Sequence, residues 1–302
     1  MASTKQGLCL KPLIELVFAA SLWGLAFVAV IWSLVTLDAP AIIFYRFLFS
    51  TLAGVVVVFF LRKRWGITPK LLWSEFRLSL SSGWWLFATL ALQTFGLITT
   101  TASKSAFITV LYVVMVPIIT AIQGAEKFLA RHLICVFFAL IGLAMFQELK
   151  FSSWSLGDTL TLFAAFAASM HIIVIGSVAP RSQNKFLLNL GQGFITCVLA
   201  LFLFPLGARH DLAAVDAKGW LGLLILSVGA GLIAFYLQVK AQEKIQPSLA
   251  SLLFLLESPF SAFFAYVLLH ERFSALQIFG GIVILLACGW AIKTETPKEQ
   301  FQ

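Results

Sequence analysis

Two long apolar runs joined by a short charged turn constrain the fold of this chain more than any other feature. They lie between Tyr236 and Trp290, and the turn between them is the HERFS segment at residues 270–274. Each run has roughly the 18 to 21 residues that an α-helix needs to cross the hydrocarbon core of a bilayer. A second hairpin of the same design, with one proline in its first run, lies between Ser103 and Phe146. The sequence therefore predicts a membrane protein with a duplicated unit.

Apolar runs of this length make up about two thirds of the 302 residues. Hydrophobic residues account for 61% of the chain and charged residues for 11%, whereas ordinary soluble domains contain about 25% charged residues. The runs are continuous, which favours helices over the alternating strands of an outer-membrane barrel. We predict an all-α integral membrane protein with ten transmembrane helices, at about residues 13–35, 40–61, 79–99, 104–123, 131–147, 156–176, 188–206, 219–239, 250–269 and 275–292.

A break in hydropathy at about residues 148–155 divides these spans into two sets of five. We predict a first five-helix repeat at residues 13–147 and a second at residues 156–292. Because five is an odd number, the second repeat enters the membrane with the opposite polarity. Inverted repeats are common in secondary transporters, whose substrate sites lie near the middle of the membrane between the repeats. The spans that face each other across the repeats are therefore the first place to look for a site.

The net charge of +8 reflects orientation in the membrane and not nucleic-acid binding. With the amino terminus in the cytoplasm, fifteen lysines and arginines fall in cytoplasmic segments, and only Lys150, Arg209, Lys218 and Arg272 fall in outer loops. This distribution is the positive-inside bias. We predict a multi-pass protein of the cell membrane with both termini in the cytoplasm, in contact with the lipid bilayer and without a nucleic-acid partner. The sequence does not indicate an oligomeric state.

Several short motifs follow one another in an order typical of one transporter family. They are Trp23-Gly24 with Phe27, Pro40 before Arg46-Phe47, Thr100-Thr101-Ala102 before Tyr112 and Pro117, Gly157-Asp158, Ser169-Met170-His171-Ile172, and Gln238 before Leu256-Glu257. On these motifs, which cover about residues 13–292, the chain resembles an EamA-type transporter of the drug/metabolite transporter superfamily. The resemblance implies two five-helix repeats and favours export of amino acids or similar metabolites.

Polar side chains recur at helical spacing in three predicted spans, so that they share one face of each helix. The stripes are Ser82, Trp85, Thr89 and Gln93 in the third span, Ser105, Thr109 and Tyr112 in the fourth, and Asn189, Gln192 and Thr196 in the seventh. In a bilayer such stripes must face protein or water. They can form hydrogen bonds between helices, or they can line a path for a solute. The convergence of several stripes favours the second interpretation for the set.

Arg46, His171 and Glu257 lie well inside predicted spans, away from their ends, where a charge is costly unless it is paired or hydrated. Arg46 either anchors the second span or lines a cavity. His171 is either functional or a neutral core residue that bonds a backbone carbonyl. Glu257 lies beside Pro259, which we expect to kink the ninth span. Glu257 therefore either contacts a substrate or proton or bonds backbone groups that the kink frees.

From these patterns we predict a substrate site without catalytic, cofactor-binding or metal-binding residues. Trp23 and Phe27 share a helix face, and Ser169 belongs to a run of small residues that can instead permit close helix packing. Glycines before Tyr236 permit close approach or a hinge. The candidate substrate-binding residues are Trp23, Phe27, Trp85, Thr89, Gln93, Thr109, Tyr112, Ser169, His171, Gln192, Tyr236, Gln238 and Glu257.

The predicted function is export of a small organic metabolite by alternating access, as in a secondary transporter. The sequence has no GxxxxGK[ST] phosphate-binding loop, so the energy must come from a gradient or from the substrate itself. A flippase or a lipid-linked sugar carrier of the same fold is an alternative. An intramembrane enzyme is disfavoured because the four histidines lie in different segments and no HExxH or GxSxG motif is present.

Overall fold

The computed structural model describes residues 10–100, 102–126, 130–148 and 154–294. Thr101, Lys127, Lys150 and most of the predicted repeat boundary lie outside these ranges. Within them the chain forms helices and no β-strand. The α-helices are α1 (Leu10–Leu34), α2 (Ala39–Leu61), α3 (Pro69–Gly96), α4 (Ala102–Val110), α5 (Tyr112–Ile122), α6 (Ala130–Phe146), α7 (Leu156–Val178), α8 (Lys185–Ala200), α9 (Ala217–Leu224), α10 (Phe235–Gln242), α11 (Pro247–Phe254), α12 (Glu257–Leu269) and α13 (Ala275–Thr294).

Length and composition identify an integral membrane protein. In the described part of the chain, seven helical segments are long and apolar enough to cross a bilayer, and residues 133–146 and 185–200 form shorter apolar helices. Large apolar side chains lie on the outer surface of the molecule, with Phe60 75% and Ile122 81% exposed. Such a surface matches the hydrocarbon of a bilayer. The seven segments are residues 10–34, 39–61, 105–122, 156–181, 217–242, 247–269 and 275–293.

Helix α3 begins at Pro69, well before the predicted start at residue 79. Thr68 caps it by accepting a hydrogen bond from the Leu71 amide at 3.1 Å, and Pro69 occupies the first helical position. Proline is well tolerated there because its missing N–H would have no intrahelical partner. The first ten residues of α3 are more polar than the rest, so hydropathy alone missed them. Helix α8 stops at Ala200 and not at residue 206, the predicted end of the seventh span.

Two proline-containing spans are interrupted near their middle. Helices α4 and α5 are separated at Leu111, and α11 and α12 at Leu255 and Leu256. The amides of Leu255 and Leu256 bond carbonyls three residues back, at 3.2 and 3.1 Å, which tightens the chain at the break. We expected the kink at Pro259, but Pro259 lies in the first turn of α12, where proline fits. Glu257 is consequently the first residue of a helix.

A ten-residue π-helix, Ile225–Ala234, joins α9 to α10 in one continuous helix. It contains the glycines for which we expected close approach or a hinge. A Cβ at Gly231 would lie 3.1 Å from the Ser50 Oγ of α2, so this glycine does permit close approach between two helices. π-Helices are rare and occur mostly at functional sites. The residues that contact this segment are therefore candidates for the functional site.

The helices pack in two groups, each containing helices from both halves of the chain. In the first bundle α1 packs on the continuous α9–α10 helix and on α12, and α2 packs on the π-helix. In the second bundle α3 packs on α7 and α8, and α4 packs on α7. Helices α6 and α13 pair with each other, and α2 contacts α8 across the boundary between the bundles. Gly24 permits a close crossing of α1 and α12 in the first bundle, because a Cβ there would lie 2.6 Å from the Phe260 Cβ.

Loop contacts define two ends of the molecule. At the near end, where α1 begins, Lys240 pairs with Glu15 and Glu75 bonds Ser182. At the far end, where α1 finishes, Asp38 pairs with Arg209. Thr100 bonds Asp158 and Ser274 bonds Glu148 at the same end. The largest apolar core, built around α5, α11 and α13, lies in the near half.

Candidate substrate pathway

A chain of side-chain hydrogen bonds crosses the middle of the molecule. His171 on α7 lies 3.1 Å from the Gln192 Oε1 of α8, and Gln192 donates to Asn189 at 3.0 Å. Asn189 in turn donates to the carbonyl of Leu232, in the π-helix, at 3.0 Å. Because an amide oxygen only accepts, His171 donates through Nε2. The chain joins the two bundles, and its three side chains are at most 5% exposed.

The π-helix also receives a hydrogen bond from the first bundle. Trp23 donates from its indole nitrogen to the Ala230 carbonyl at 3.3 Å. Its ring also contacts Phe235 and Phe254, with centroids 5.2 and 5.1 Å away. Phe235 also contacts His171 edge-on, with centroids 5.9 Å apart. The structure therefore brings Trp23 and His171, which are distant in sequence, into contact with the same aromatic ring.

The stripes of the third and fourth predicted spans meet in the far half of the molecule. Gln93 on α3 donates to the Thr109 hydroxyl on α4 at 3.1 Å. Thr89 donates to the Trp85 carbonyl within α3, and Trp85 contacts Phe166 on α7 at 6.0 Å. All four predicted residues in this group, Trp85, Thr89, Gln93 and Thr109, are half-buried. They border accessible space and are not sealed in a core.

Arg46 on α2 and Glu257 on α12 are near enough for their charges to interact. No ion pair within 4 Å joins them, and the buried Arg46 Nε has no hydrogen-bond partner among the described residues. Arg46 lies over the Phe47 ring at 5.4 Å. Tyr112 is also within electrostatic range of Glu257 and is 8% exposed. Both charged residues are half-buried and lie on the far side of the helix interruptions.

A second polar group lies in the near half and is sealed. Gln238 donates to the Gln242 side chain at 2.9 Å, and Gln242 donates to the Ile172 carbonyl of α7 at 2.9 Å. Thr120 on α5 and Ser248 on α11 lie 3.5 Å apart, and Glu126 accepts from the Ser248 amide at 3.4 Å. Gln238 and Gln242 are no more than 1% exposed, and the Gln238 Oε1 accepts no hydrogen bond from the described residues. These contacts join the two bundles at the near end.

Three predicted site residues lie away from these groups. Phe27 is 46% exposed, and Ser169 is fully buried with its hydroxyl bonded to the Ala165 carbonyl of its own helix. Tyr236 lines a cavity of about 290 Å³ at the near end, beside Trp65 and Phe186. No three His, Cys, Asp or Glu side chains in the described ranges lie close enough to hold a metal ion.

The structure adds residues that sequence reasoning did not place in the site. Arg46 and Asn189 were noticed as polar residues within spans, and Asn189 proves to link the polar chain to the π-helix. Gln242 lies four residues after Gln238, which is the helical spacing that identified the other stripes. Extending that stripe by one turn would have found it. Ser248 and Thr120 carry no such signal, because single hydroxyls are common in membrane helices.

The comparisons with known proteins agree with this architecture. Residues 155–292 match the model of the EamA-like transporter family. The chain is 30% identical over 271 residues to an uncharacterized transporter of Archaeoglobus fulgidus, covering 87% of this chain and 83% of that protein. It is 29% identical over 129 residues to an uncharacterized transporter of Methanothermobacter thermautotrophicus, covering 43% of this chain and 37% of that protein.

A solved crystal structure shares the fold. Its TM-score is 0.77 at 15% sequence identity, over 94% of this chain and 97% of that chain. The fold, the relatives and the family match agree. This chain is a membrane transport protein that belongs to the EamA-like transporter family.

Proposed function

We propose that this transporter moves a small organic metabolite, such as an amino acid, by alternating access, as a secondary transporter of ten transmembrane helices. The observation that carries the proposal is the contrast between the two halves of the interior. Helix α5 packs against α11 in the near half, whereas α4 and α12 make no comparable contact in the far half. Gln238 and Gln242 are buried in the near half, whereas Gln93, Thr109 and Glu257 are half-buried in the far half. A path open at one end and closed at the other is what alternating access requires.

The packing pattern supports ten spans arranged as two inverted repeats. The seven long apolar segments are joined by α3, α6 and α8, which have the length or apolar character to complete the set. If the repeats are exchanged, the α3–α7 contact becomes the contact of α1 with the α9–α10 helix, and α3–α8 becomes that of α2 with the π-helix. The α6–α13 pair maps onto itself, and the α5–α11 contact becomes a contact of α12 with α4, which has no comparable packing in the described part of the far half. A two-fold axis in the membrane plane gives this exchange.

The charge distribution supports an orientation. The near-end loops contain most of the basic residues, so the positive-inside bias places this end in the cytoplasm. The closed end is then the cytoplasmic one, and the half-buried polar group faces outward. The direction of net transport, export, rests on the family resemblance. Transporter-named relatives favour a carrier over an enzyme.

The near-end contacts act as a gate in this proposal. To expose the site to the cytoplasm, the two bundles must separate where Gln242 bonds the Ile172 carbonyl and where Thr120 meets Ser248. Hydrogen bonds between membrane helices are worth about 0.6 kcal/mol each on average. The gate is therefore strong enough to hold one state and weak enough to open.

A reversible cross-link tests alternating access. Starting from a variant without native cysteines, Thr120→Cys with Ser248→Cys places two thiols across the gate. Oxidation should abolish uptake of a labelled metabolite panel into proteoliposomes, and a reductant should restore it. Ser105→Cys with Thr161→Cys is the matched control, because those hydroxyls lie 3.4 Å apart within one bundle. Full transport by the cross-linked Thr120–Ser248 variant would refute the gate. Movement of labelled lipid in place of metabolites would favour the flippase alternative.

A further inference from the structure

The cavity at the near end lies apart from the polar groups of the interior. Its volume is about 290 Å³, close to the lower end of the range of about 300–1,000 Å³ that is usual for small-molecule sites. The loop after α2, the start of α8 and helix α10 form its walls, so it lies where the two bundles meet. Its charged and aromatic lining residues are Lys185, Lys240, Glu243, Trp65, Phe186 and Tyr236.

The two lysines in this cavity keep hydrogen-bonding capacity. Lys185 donates to the Ser182 carbonyl at 2.8 Å and pairs with Glu243 at 3.0 Å, and Lys240 pairs with Glu15. An ammonium group has three N–H donors, so one donor of Lys185 and two of Lys240 have no acceptor among the described residues. Both ion pairs are partly exposed, and exposed ion pairs are weak. An anion in the cavity can therefore bind both lysines.

The segments that line or adjoin the cavity are strongly basic. Residues 62–65, 181–186 and 236–244 contain seven lysines and arginines and one acidic residue, Glu243. Glu15 and Glu75 contact these segments from α1 and α3, which leaves an excess of four positive charges. Basic pockets between transmembrane helices, close to the membrane surface, bind the phosphate headgroups of anionic lipids. The charge therefore favours a phosphate-bearing ligand over a cation.

An aromatic cluster on one wall of the cavity is close in the chain to lipid-facing side chains. Trp65 contacts Phe186 and Phe186 contacts Tyr236, with ring centroids 5.3 and 5.7 Å apart. Tryptophan and tyrosine concentrate where the hydrocarbon of a bilayer meets the headgroups. Phe60, five residues before Trp65, is 75% exposed, and Ile233, three residues before Tyr236, is 39% exposed. These apolar side chains suit the acyl chains of a lipid, which a free phosphate lacks.

We propose that this cavity binds the headgroup of an anionic phospholipid, whose phosphate binds Lys185 and Lys240. The site is separate from the polar residues of the transport path, so the proposal does not depend on the proposed function. Tyr236, which lies away from the other candidate substrate-binding residues, becomes part of the aromatic wall of this site. Because Lys185 belongs to the second bundle and Lys240 to the first, the bound headgroup bridges the two bundles at the near end.

Native mass spectrometry of the delipidated full-length protein measures lipid binding directly. The probes are phosphatidylglycerol, which carries a net negative charge, phosphatidylcholine, which carries none, and soluble glycerol 3-phosphate. Phosphatidylglycerol should bind about tenfold or more tightly than phosphatidylcholine, because two lysines attract its charge. Equal affinity for the two lipids overturns the proposal. Binding of glycerol 3-phosphate as tight as that of phosphatidylglycerol also overturns it, because the ligand would then be a free phosphate ester.

Paired variants test whether the two lysines form the site. Lys185→Gln with Lys240→Gln should reduce the preference for phosphatidylglycerol over phosphatidylcholine about tenfold. Lys185→Arg with Lys240→Arg keeps both charges and should retain most of the preference, which separates loss of charge from misfolding. Lys293→Gln removes an exposed charge in the last turn of α13, at the same end, and is the control that should leave the preference unchanged. An unchanged preference in the double glutamine variant would refute the site.

Photo-cross-linking locates the lipid on the wild-type protein, without any substitution. Phosphatidylglycerol with a photoreactive headgroup should modify peptides that contain residues 62–65, 183–186 or 236–243. Adducts confined to other segments would contradict the assignment, even where phosphatidylglycerol binds preferentially.

Discussion

The far half and the near half of the interior are lined by similar polar residues, yet they differ in exposure. Gln93, Thr109 and Glu257 in the far half are half-buried, whereas Gln238 and Gln242 in the near half are at most 1% exposed. The helix interruptions separate the two halves. Below them α5 and α11 pack together, and above them α4 and α12 do not. The two ends of the molecule are therefore packed differently around similar polar residues.

The carboxylate contacts at the two ends show the same contrast. At the near end Glu75 accepts from the Ser182 hydroxyl and the Gln183 amide, both at 2.7 Å, and is 1% exposed. At the far end Asp38 accepts from the Ala208 and Arg209 amides at 2.7 and 2.9 Å, and its side chain is 24% exposed. Each carboxylate thus fixes a loop contact at its own end of the molecule. Only the near one is shielded from water.

Loss of the near carboxylate should have the largest effect on stability. Glu75→Ala leaves the buried Ser182 hydroxyl and the part-buried amides of Gln183 and Asn184 without their acceptor, so we expect a loss of about 2 to 3 kcal/mol in the free energy of unfolding. Denaturation in mixed micelles measures it. Glu243→Ala removes a partly exposed partner of Lys185 and should cost under about 1 kcal/mol. Equal losses for the two variants would show that burial does not distinguish these carboxylates.

Thiol labelling should separate the two halves by about tenfold or more. In a background without native cysteines, cysteines at Gln93 and Thr109 should react quickly with a small aqueous reagent. Cysteines at Gln238 and Ser251 should react slowly, because labelling them requires a local opening that costs free energy. Reaction rates in intact proteoliposomes provide the measurement. Similar rates at all four positions would erase the contrast between the halves.

Weakening the near-end gate should change the difference in labelling rate between the two halves by less than tenfold. Gln242→Leu removes the hydrogen bond to the Ile172 carbonyl. A loss of about 0.6 kcal/mol favours the separated near end by about threefold. The labelling rate of a cysteine at Ser251 should rise accordingly. Thr89→Val, which removes only an intrahelical hydrogen bond, is the control and should leave that rate unchanged.

Substitution of the more exposed carboxylate, Asp38, should have the smallest effect on stability. Asp38→Asn should cost under about 1 kcal/mol, and less at high salt, because the pair with Arg209 is screened. The backbone hydrogen bond from Arg209, with its side-chain bond, lowers the pKa of Asp38. A lowered pKa in the folded state means that the stabilisation is present above the ordinary aspartate pKa of about 3.9 and disappears as the pH falls through the lowered value.

The difference in unfolding free energy between the wild type and Asp38→Asn checks this. It should be constant near neutral pH and should shrink as the pH falls below about 4. A difference that grows on acidification would contradict the sign of the pKa shift.

The starts of α3 and α12 show how much of the helix boundaries local sequence signals can predict. Thr68-Pro69 is a recognisable cap, yet hydropathy placed the start of α3 at residue 79 and so treated Glu75 as part of a surface segment. The break at Leu255 and Leu256 precedes Pro259, because a proline in a first turn ends the preceding helix instead of bending its own. Glu257 therefore begins a helix, which the sequence pattern did not indicate.

The sequence by itself determined the membrane environment, the helical class and the family, because bilayer thickness and backbone hydrogen bonding leave few other solutions for long apolar runs. Helical spacing also identified the stripes that meet through Gln93 and Thr109. Only the tertiary structure decided that His171 joins Gln192 and Asn189, that Gln242 bonds the Ile172 carbonyl at the near end, and that the buried Arg46 Nε has no partner among the described residues. Those relations join residues far apart in the chain, and their positions depend on how two bundles pack.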